Sequence, residues 1–85
     1  MSTPKISVVM AVYNGETFLR PTLDSILSQT FIDFEFIIVN DGSTDRSQQV
    51  VAEYNDDRIV FIDNDRNIGQ TASLNVGLRK AQGMF

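Results

Sequence analysis

The chain has 85 residues, with 11 acidic and 7 basic side chains and a formal net charge of −4 at neutral pH. This length allows one small domain, and the negative charge disfavours a nucleic-acid partner bound through its phosphates. The absence of Cys and His excludes disulfides, Cys/His zinc sites and a His general base within these residues. No stretch reaches transmembrane length, and the first residues lead into a strand rather than a signal peptide. We therefore expect a cytoplasmic protein.

The first part of the chain predicts a strand followed by helix. The β-branched run from Lys5 to Val12 indicates the strand, and Tyr13-Asn14-Gly15 ends it. A helical pattern then extends to about Gln29. Because proline does not fit a helix interior, we predict a short turn over Glu16 to Arg20 and a main helix that begins at Pro21.

The middle of the chain repeats this order. Phe34 to Asn40 is a continuous apolar run that predicts a buried parallel strand. Ser43 or Thr44 is expected to cap the next helix, with Asp45 favoured in its first turn by the helix dipole.

The last part predicts a third strand over Arg58 to Ile62, a polar loop over Asp63 to Ile68 and a third helix over Gly69 to Gln82. The apolar residues of this helix fall on two stripes, which are Leu74, Leu78 and Ala81 on one and Ala72 and Val76 on the other. The order β-α-β-α-β-α predicts a parallel sheet with right-handed crossovers. Gly83-Met84-Phe85 resembles the start of a fourth strand, so we expect the N-terminal part of a longer protein.

Two strand ends carry the polar residues that suggest a site. Asn40-Asp41-Gly42-Ser43 directly follows the second strand, and Tyr13-Asn14-Gly15 follows the first. In open α/β sheets, ligands bind outside the carboxyl ends of the strands. Two such ends side by side would form a binding site. The alternative is that Asp41 and its neighbours form only a turn and a helix cap.

A series of motifs in the chain resembles a known family. In chain order they are Ile6-Ser7-Val8-Val9-Met10-Ala11-Val12-Tyr13-Asn14, Leu23-Asp24-Ser25-Ile26-Leu27-Ser28-Gln29-Thr30-Phe31, Phe34-Glu35-Phe36-Ile37-Ile38-Val39-Asn40-Asp41-Gly42-Ser43-Thr44-Asp45, Asn67-Ile68-Gly69, Asn75-Val76-Gly77 and Ala81-Gln82-Gly83. Together they resemble glycosyltransferase family 2, a family of nucleotide-sugar transferases with the GT-A fold. The chain departs from the family pattern at Asn40, where an acid is usual, and at Leu74, where an Arg is often found.

The resemblance implies a fold and a domain boundary. Residues 1–85 would be the nucleotide-sugar-binding, N-terminal part of a GT-A domain that is incomplete at its C-terminus. This part would be α/β and Rossmann-like, with three parallel strands and alternating helices.

The resemblance also implies the site residues. Nucleotide binding is expected at both strand ends and on the third helix, at Ala11, Val12, Tyr13, Asn14, Asp41, Gly42, Gly69 and Asn75. Asp41 would bind the base, because a carboxylate accepts the imide N–H of uracil in a charge-assisted hydrogen bond. Cytosine presents a lone pair at that position, whereas guanine and thymine present an N–H, so uridine is only the first choice. Tyr13 would stack on the base.

As a function, the resemblance implies transfer of a sugar from a nucleotide-diphospho-sugar, UDP-linked by first choice, to a glycan or lipid-linked acceptor in polysaccharide biosynthesis. The intact enzyme would use a divalent metal, Mg²⁺ or Mn²⁺, and would work in the cytoplasm or at the cytosolic face of a membrane. The metal ligands and the catalytic base are expected outside these residues, so the 85-residue chain alone would be inactive. Asp63-Asn64-Asp65 matches the D-x-D pattern of the family's metal site. It precedes the third helix, however, whereas the family's motif follows that helix, and we interpret it as a solvated loop.

Two other functions remain open from the sequence. A receiver-like signalling domain would use Asp63 as a phospho-acceptor, although Tyr13-Asn14-Gly15 stands where that fold needs acids. A non-catalytic assembly unit would leave the edge of the first strand exposed, which favours self-association. A dinucleotide-binding oxidoreductase is disfavoured, since no G-x-G-x-x-G follows the first strand.

Overall fold

A computed structural model of the chain describes residues 6–29 and 33–81. The strands and helices alternate as predicted, in the order β1 (Ile6–Val12), α1 (Glu16–Leu27), β2 (Phe34–Asn40), α2 (Ser47–Ala52), β3 (Ile59–Asp63) and α3 (Gln70–Lys80). The expected contribution of Lys5 to the first strand, most of the loop over residues 30–33 and the expected fourth strand near Phe85 lie outside the described residues. Among the described helices, none combines the length and the apolar character needed to cross a membrane.

The three strands form a parallel sheet in the order β1-β2-β3. β2 agrees with the predicted bounds and is buried along its whole length, while β3 begins and ends one residue later than predicted. In the register of the sheet, Val12 lies beside Asn40, and Asn40 lies beside Asp63. The carboxyl ends of all three strands are therefore level, and the segments that follow them meet at one edge of the sheet.

The helices cover both faces of this sheet. α1 and α2 share a core with alternate residues of β2, such as Phe36 and Ile38, whereas α3 packs on β1 and on the other residues of β2, such as Ile37 and Val39. Successive residues of a strand point to opposite faces. The first two helices thus lie on one face, as right-handed crossovers from β1 to β2 and from β2 to β3 require, and the third lies on the other.

The prediction that the main helix begins at Pro21 is wrong, because α1 is one helix with Pro21 inside it. Leu19 and Leu23, on either side of the proline, are both fully buried. Their packing keeps the helix continuous, although Pro21 has no N–H to donate to the preceding turn. Pro21 itself is exposed, and the carbonyl that its ring displaces can turn toward water on that side.

The prediction that Ser43 or Thr44 caps the second helix is also wrong. α2 begins at Ser47, and the Asp45 carboxylate accepts hydrogen bonds from the Ser47 N–H at 2.9 Å and from its hydroxyl at 2.6 Å. The Ser43 hydroxyl instead donates to Asn40 Oδ1 at 2.5 Å. The N-cap position is Arg46, whose side chain makes no capping hydrogen bond, and the first N–H of the helix is satisfied instead by Asp45, one residue earlier.

The face of α3 that contacts the sheet differs from the two predicted apolar stripes. Ser73 and Gly77 are its buried residues, whereas Leu78 keeps 36% of its surface exposed. A Cβ at Gly77 would collide with the side chain of Val9. Small side chains let the helix approach the strands closely, so the contact is made where the hydrophobic pattern is weakest. The helix is also shorter at its start than predicted, with Gly69 as its N-cap.

Candidate functional site

A cavity of about 360 Å³ opens at the carboxyl edge of the sheet. Residues from the end of β1, the first turn of α1, the end of β2 and the loop before α3 line it, namely Ala11, Val12, Tyr13, Phe18, Asp41, Asn67, Gly69 and Gln70. The predicted residues Ala11, Val12, Tyr13, Asp41 and Gly69 are therefore brought together. The sequence interpretation missed Phe18, Asn67 and Gln70.

Two exposed aromatic rings stand at the cavity. Tyr13 is 53% exposed and Phe18 is 47% exposed, although most large apolar side chains of such a small domain are needed in the core. The Phe18 ring lies against Gly15, where a Cβ would be 2.5 Å from its Cε1 atom. Flat rings of this kind suit stacking with a planar, aromatic ligand. Phe18 gave no signal in the sequence because a single aromatic near a helix start is equally typical of core packing.

Asp41 lies at the inner end of the cavity and is only 2% exposed. Its Oδ1 accepts hydrogen bonds from the Ile68 N–H at 2.7 Å and from Asn64 Nδ2 at 3.2 Å. Its Oδ2 accepts from the Gly69 N–H at 3.0 Å and from Asn67 Nδ2 at 3.1 Å. One carboxylate thus fastens the whole loop before α3 to the end of β2.

These hydrogen bonds keep Asp41 charged. Burial of the carboxyl acts to raise its pKa, but hydrogen bonds to the carboxylate, with those from the Ile68 N–H and the Asn64 side chain foremost, lower the pKa below its ordinary value of 3.8. At neutral pH the cavity therefore holds a buried carboxylate. Asp41 does serve as a cap, as the alternative interpretation held. It caps the backbone N–H groups that lead into α3, and it also lines an open cavity.

Gly42 acts through its backbone. Its φ is +69°, and a Cβ there would lie 2.5 Å from the backbone nitrogen of Asn67 and 2.7 Å from the carbonyl carbon of Arg66. Only glycine accommodates both the left-handed conformation and this contact. Gly42 is not one of the residues that line the cavity, but it lets the loop carrying Asn67 lie directly on the turn after β2.

Asn14 joins the turns after β1 and β2. It has a φ of 53°, its Oδ1 accepts from the Thr44 N–H at 2.8 Å and the Asp45 N–H at 3.3 Å, and its own N–H donates to Ser43 Oγ at 2.9 Å. These bonds fix the backbone next to Tyr13.

The described structure puts Asn14 and Asn75 off the cavity wall. Neither residue is among those that line the cavity, and Asn75 lies exposed on α3. A direct nucleotide contact from either side chain stays a prediction.

An amide at Asn40 connects β2 to β3. Asn40 Nδ2 donates to Asp63 Oδ1 at 3.0 Å, and Asn40 Oδ1 accepts from the Ser43 hydroxyl. Asp63 and Asp65 are exposed. Within residues 6–29 and 33–81, no group of three or more His, Cys, Asp or Glu residues is placed to hold a metal ion. The described residues therefore do not form a complete metal site.

Comparison with known proteins relates this chain to one family. Residues 7–85 match Glycosyl transferase family 2. Glycosyltransferase GlyA of Streptococcus pneumoniae is 43% identical in an alignment 83 residues long that covers 95% of this chain and 12% of GlyA. Putative glycosyltransferase EpsH of Bacillus subtilis is 44% identical in an alignment 87 residues long, gaps included, that covers 100% of this chain and 25% of EpsH. The chain thus spans a quarter or less of the length of these two relatives.

Solved structures of similar fold have been determined with nucleotide sugars. S. aureus TarS 1-349 in complex with UDP-GlcNAc matches with a TM-score of 0.87 and 34% identity, over 93% of this chain and 24% of that structure. The mannosyltransferase PcManGT from Pyrobaculum calidifontis, in complex with GDP-Man and Mn²⁺, matches with a TM-score of 0.83 and 26% identity, over 95% of this chain and 25% of that structure. The described residues therefore have an α/β fold of three parallel strands alternating with helices, as in GT-A glycosyltransferases.

Proposed function

The chain belongs to glycosyl transferase family 2, and we propose that the full-length protein transfers a sugar from a nucleotide-diphospho-sugar, UDP-linked, to a glycan or lipid-linked acceptor. The cavity at the carboxyl ends of β1 and β2 would bind the nucleoside of the donor. The family membership favours this function over a receiver-like signalling domain. We propose the cytoplasm or the cytosolic face of a membrane as its location.

The observation that carries the proposal is the ionised Asp41 carboxylate in the same cavity as the exposed Tyr13 ring. Uracil needs both an acceptor for its imide N–H and an apolar surface for its ring. A carboxylate is the stronger kind of acceptor for that N–H, and base–aromatic stacking adds about 1–3 kcal/mol. The two groups come from adjacent parallel strands, so the sheet fixes their separation.

The bases of the two bound donors support the same chemistry. UDP-GlcNAc and GDP-Man are the ligands named for TarS and PcManGT, and uracil and guanine both present a ring N–H where cytosine presents a lone pair. An ionised carboxylate accepts from the first two and repels the third. We prefer uracil, because the TarS structure is the more similar of these two in sequence.

We further propose that the full-length protein uses a divalent metal, which would neutralise the diphosphate of the donor. One similar structure contains Mn²⁺. The described residues do not hold a complete set of ligands for such an ion; their proposed role is to bind and orient the nucleoside.

Calorimetry with UDP on the full-length protein tests the proposal. Asp41→Ala is expected to weaken UDP binding roughly 10- to 100-fold, the effect of losing a hydrogen bond to a charged group. Asp45→Ala is the matched control, because Asp45 is also a hydrogen-bonded acid with a lowered pKa but does not line the cavity. The more conservative Asp41→Asn keeps the fold testable if Asp41→Ala unfolds. Equal UDP affinity in parent and Asp41 variants would contradict the proposal.

We also propose that the 85-residue chain on its own self-associates along β1. Within the described residues β1 pairs only with β2, and a mostly apolar hollow is lined by Ile6 and Val8 of β1 together with Ile26, Gln29 and Phe34. Unpaired edges invite pairing with another chain. Light scattering should give a mass above that of the monomer and rising with concentration, whereas a folded monomer at high concentration would refute the idea.

A further inference from the structure

Every acceptor position of the Asp41 carboxylate is taken. A carboxylate offers about four lone-pair sites, and two donors occupy each oxygen, at distances between 2.7 and 3.2 Å. If the proposed function holds and a base N–H binds Asp41, the base has no free lone pair to bind. One of the four donors must therefore leave when the nucleotide arrives.

The donors differ in how easily they can leave. Ile68 and Gly69 donate backbone N–H groups, so their release would require the loop itself to move. The side chain of Asn64 also donates to the hydroxyl of Ser73 at 3.0 Å, and Ser73 is fully buried. Displacing any of these three would therefore disturb the packing of α3.

Asn67 is different. Asn67 is exposed and lines the cavity. Its side-chain Nδ2 donates hydrogen bonds to Asp41 Oδ2 at 3.1 Å and to the Asp41 carbonyl oxygen at 3.2 Å. Rotation about the side-chain bonds alone would free Oδ2. We propose that the base displaces the Asn67 amide from Asp41 Oδ2, and that the released amide donates to the base carbonyl next to the N–H.

This exchange makes Asn67 a specificity-determining residue. Uracil replaces the lost hydrogen bond at Asp41 with its N–H and offers the adjacent carbonyl to Asn67, so each polar group is paired before and after binding. Cytosine offers a lone pair and an amino group at the same two positions, so displacing the Asn67 amide would leave both Asp41 Oδ2 and that amide facing groups that cannot pair with them. Buried polar groups left unpaired are what separates close ligand analogues.

Calorimetry with UDP and CDP on the full-length protein tests this exchange. The parent should bind UDP more tightly than CDP. Asn67→Ala should weaken UDP binding about tenfold and bring the UDP/CDP affinity ratio closer to one. Asn55→Ala is the matched control, because Asn55 is also an exposed asparagine but does not line the cavity, and it should leave the ratio unchanged.

A second measurement follows the amide directly. The side-chain ¹⁵N–¹H signals of Asn67, assigned by their loss in Asn67→Ala, should shift on saturation of the parent with UDP. Unmoved signals, or an unchanged UDP/CDP ratio in Asn67→Ala, would overturn the exchange while leaving the transferase proposal in place. Failure of the parent to bind UDP at all would overturn both.

Discussion

The cavity side chains differ in what holds them in place. Asp41 is fixed by four hydrogen bonds from the loop before α3, so its replacement removes an anchor of the fold as well as a ligand contact. Tyr13 and Phe18 are about half exposed, and they stand at the cavity because the backbone beneath them is held by other residues. Their rings are therefore free to serve a ligand at little cost in stability.

Tyr13 provides the test at the scale of one residue. Tyr13→Ala should weaken UDP binding by about 1–3 kcal/mol, the contribution of stacking on a base, while the free energy of unfolding changes by less than about 0.5 kcal/mol because the ring is half exposed. Tyr13→Phe keeps the ring and should bind UDP like the parent. Calorimetry and urea unfolding measure the two quantities. A large loss of UDP affinity in Tyr13→Phe would mean that the Tyr13 hydroxyl, rather than stacking of the ring, contributes the binding energy.

The position of Asp41 was predictable, but its partners were not. A long apolar run that ends in an acid places that acid at the mouth of a strand, and β2 ends at Asn40 as predicted. The Ile68 N–H that it accepts comes from 27 residues later in the chain. Backbone donors carry no residue type, so no pattern in the sequence could pair them with this carboxylate.

At the scale of the element, α3 shows why hydrophobic periodicity misidentified a contact face. The pattern favoured Leu74 and Leu78, yet the helix meets the sheet through Ser73 and Gly77. The backbone of α3 can approach the strands closely only where its side chains are small, and small residues such as Ser and Gly do not stand out in a hydrophobic pattern. Pro21 was misread for the related reason that burial of Leu19 and Leu23 outweighs a local preference for a helix end.

Gly77→Val tests the docking of α3. The new side chain would meet Val9, and overpacking of this kind costs typically about 1–3 kcal/mol. Thr71→Val is the matched control, because it introduces the same residue at an exposed position of α3 and should change stability by less than about 0.5 kcal/mol. Urea unfolding of both variants compares them. Equal stability would mean that the helix does not sit this close to β1.

At the scale of the whole molecule, several acidic side chains share a pKa below its ordinary value. Hydrogen bonds or ion pairs lower the pKa of four of them, which are Asp41, Asp45, Glu53 and Asp56. The partner of Asp56 is Arg58, only two residues away. Other contacts join distant parts of the chain: Glu53 of the segment after α2 pairs with Arg20 of α1 at 2.6 Å, and Asp45 accepts from the Glu16 N–H at 3.1 Å.

This set predicts a fold that loses stability in acid. A carboxyl with a lower pKa in the folded state makes the unfolded chain bind more protons, so the free energy of unfolding rises with pH through that range. Stability should be constant above about pH 5 and should fall as the pH drops past the ordinary values of 3.8 for Asp and 4.5 for Glu. Urea midpoints between pH 7 and pH 3 measure this. Asp41→Asn should flatten the curve, and an equally steep curve would show that Asp41 does not contribute.

The Asn40 amide has a consequence for building chimeras with related proteins. It donates a hydrogen bond to Asp63 and accepts one from Ser43. An ionised carboxylate can only accept, so it could not make both bonds. If residues 63–69 were replaced by those of a relative that has an acid at position 40, the new residue at position 63 would not be matched to the Asn40 amide on the neighbouring strand. Chimeras should transplant position 40 together with the segment, because the two have to change as one unit.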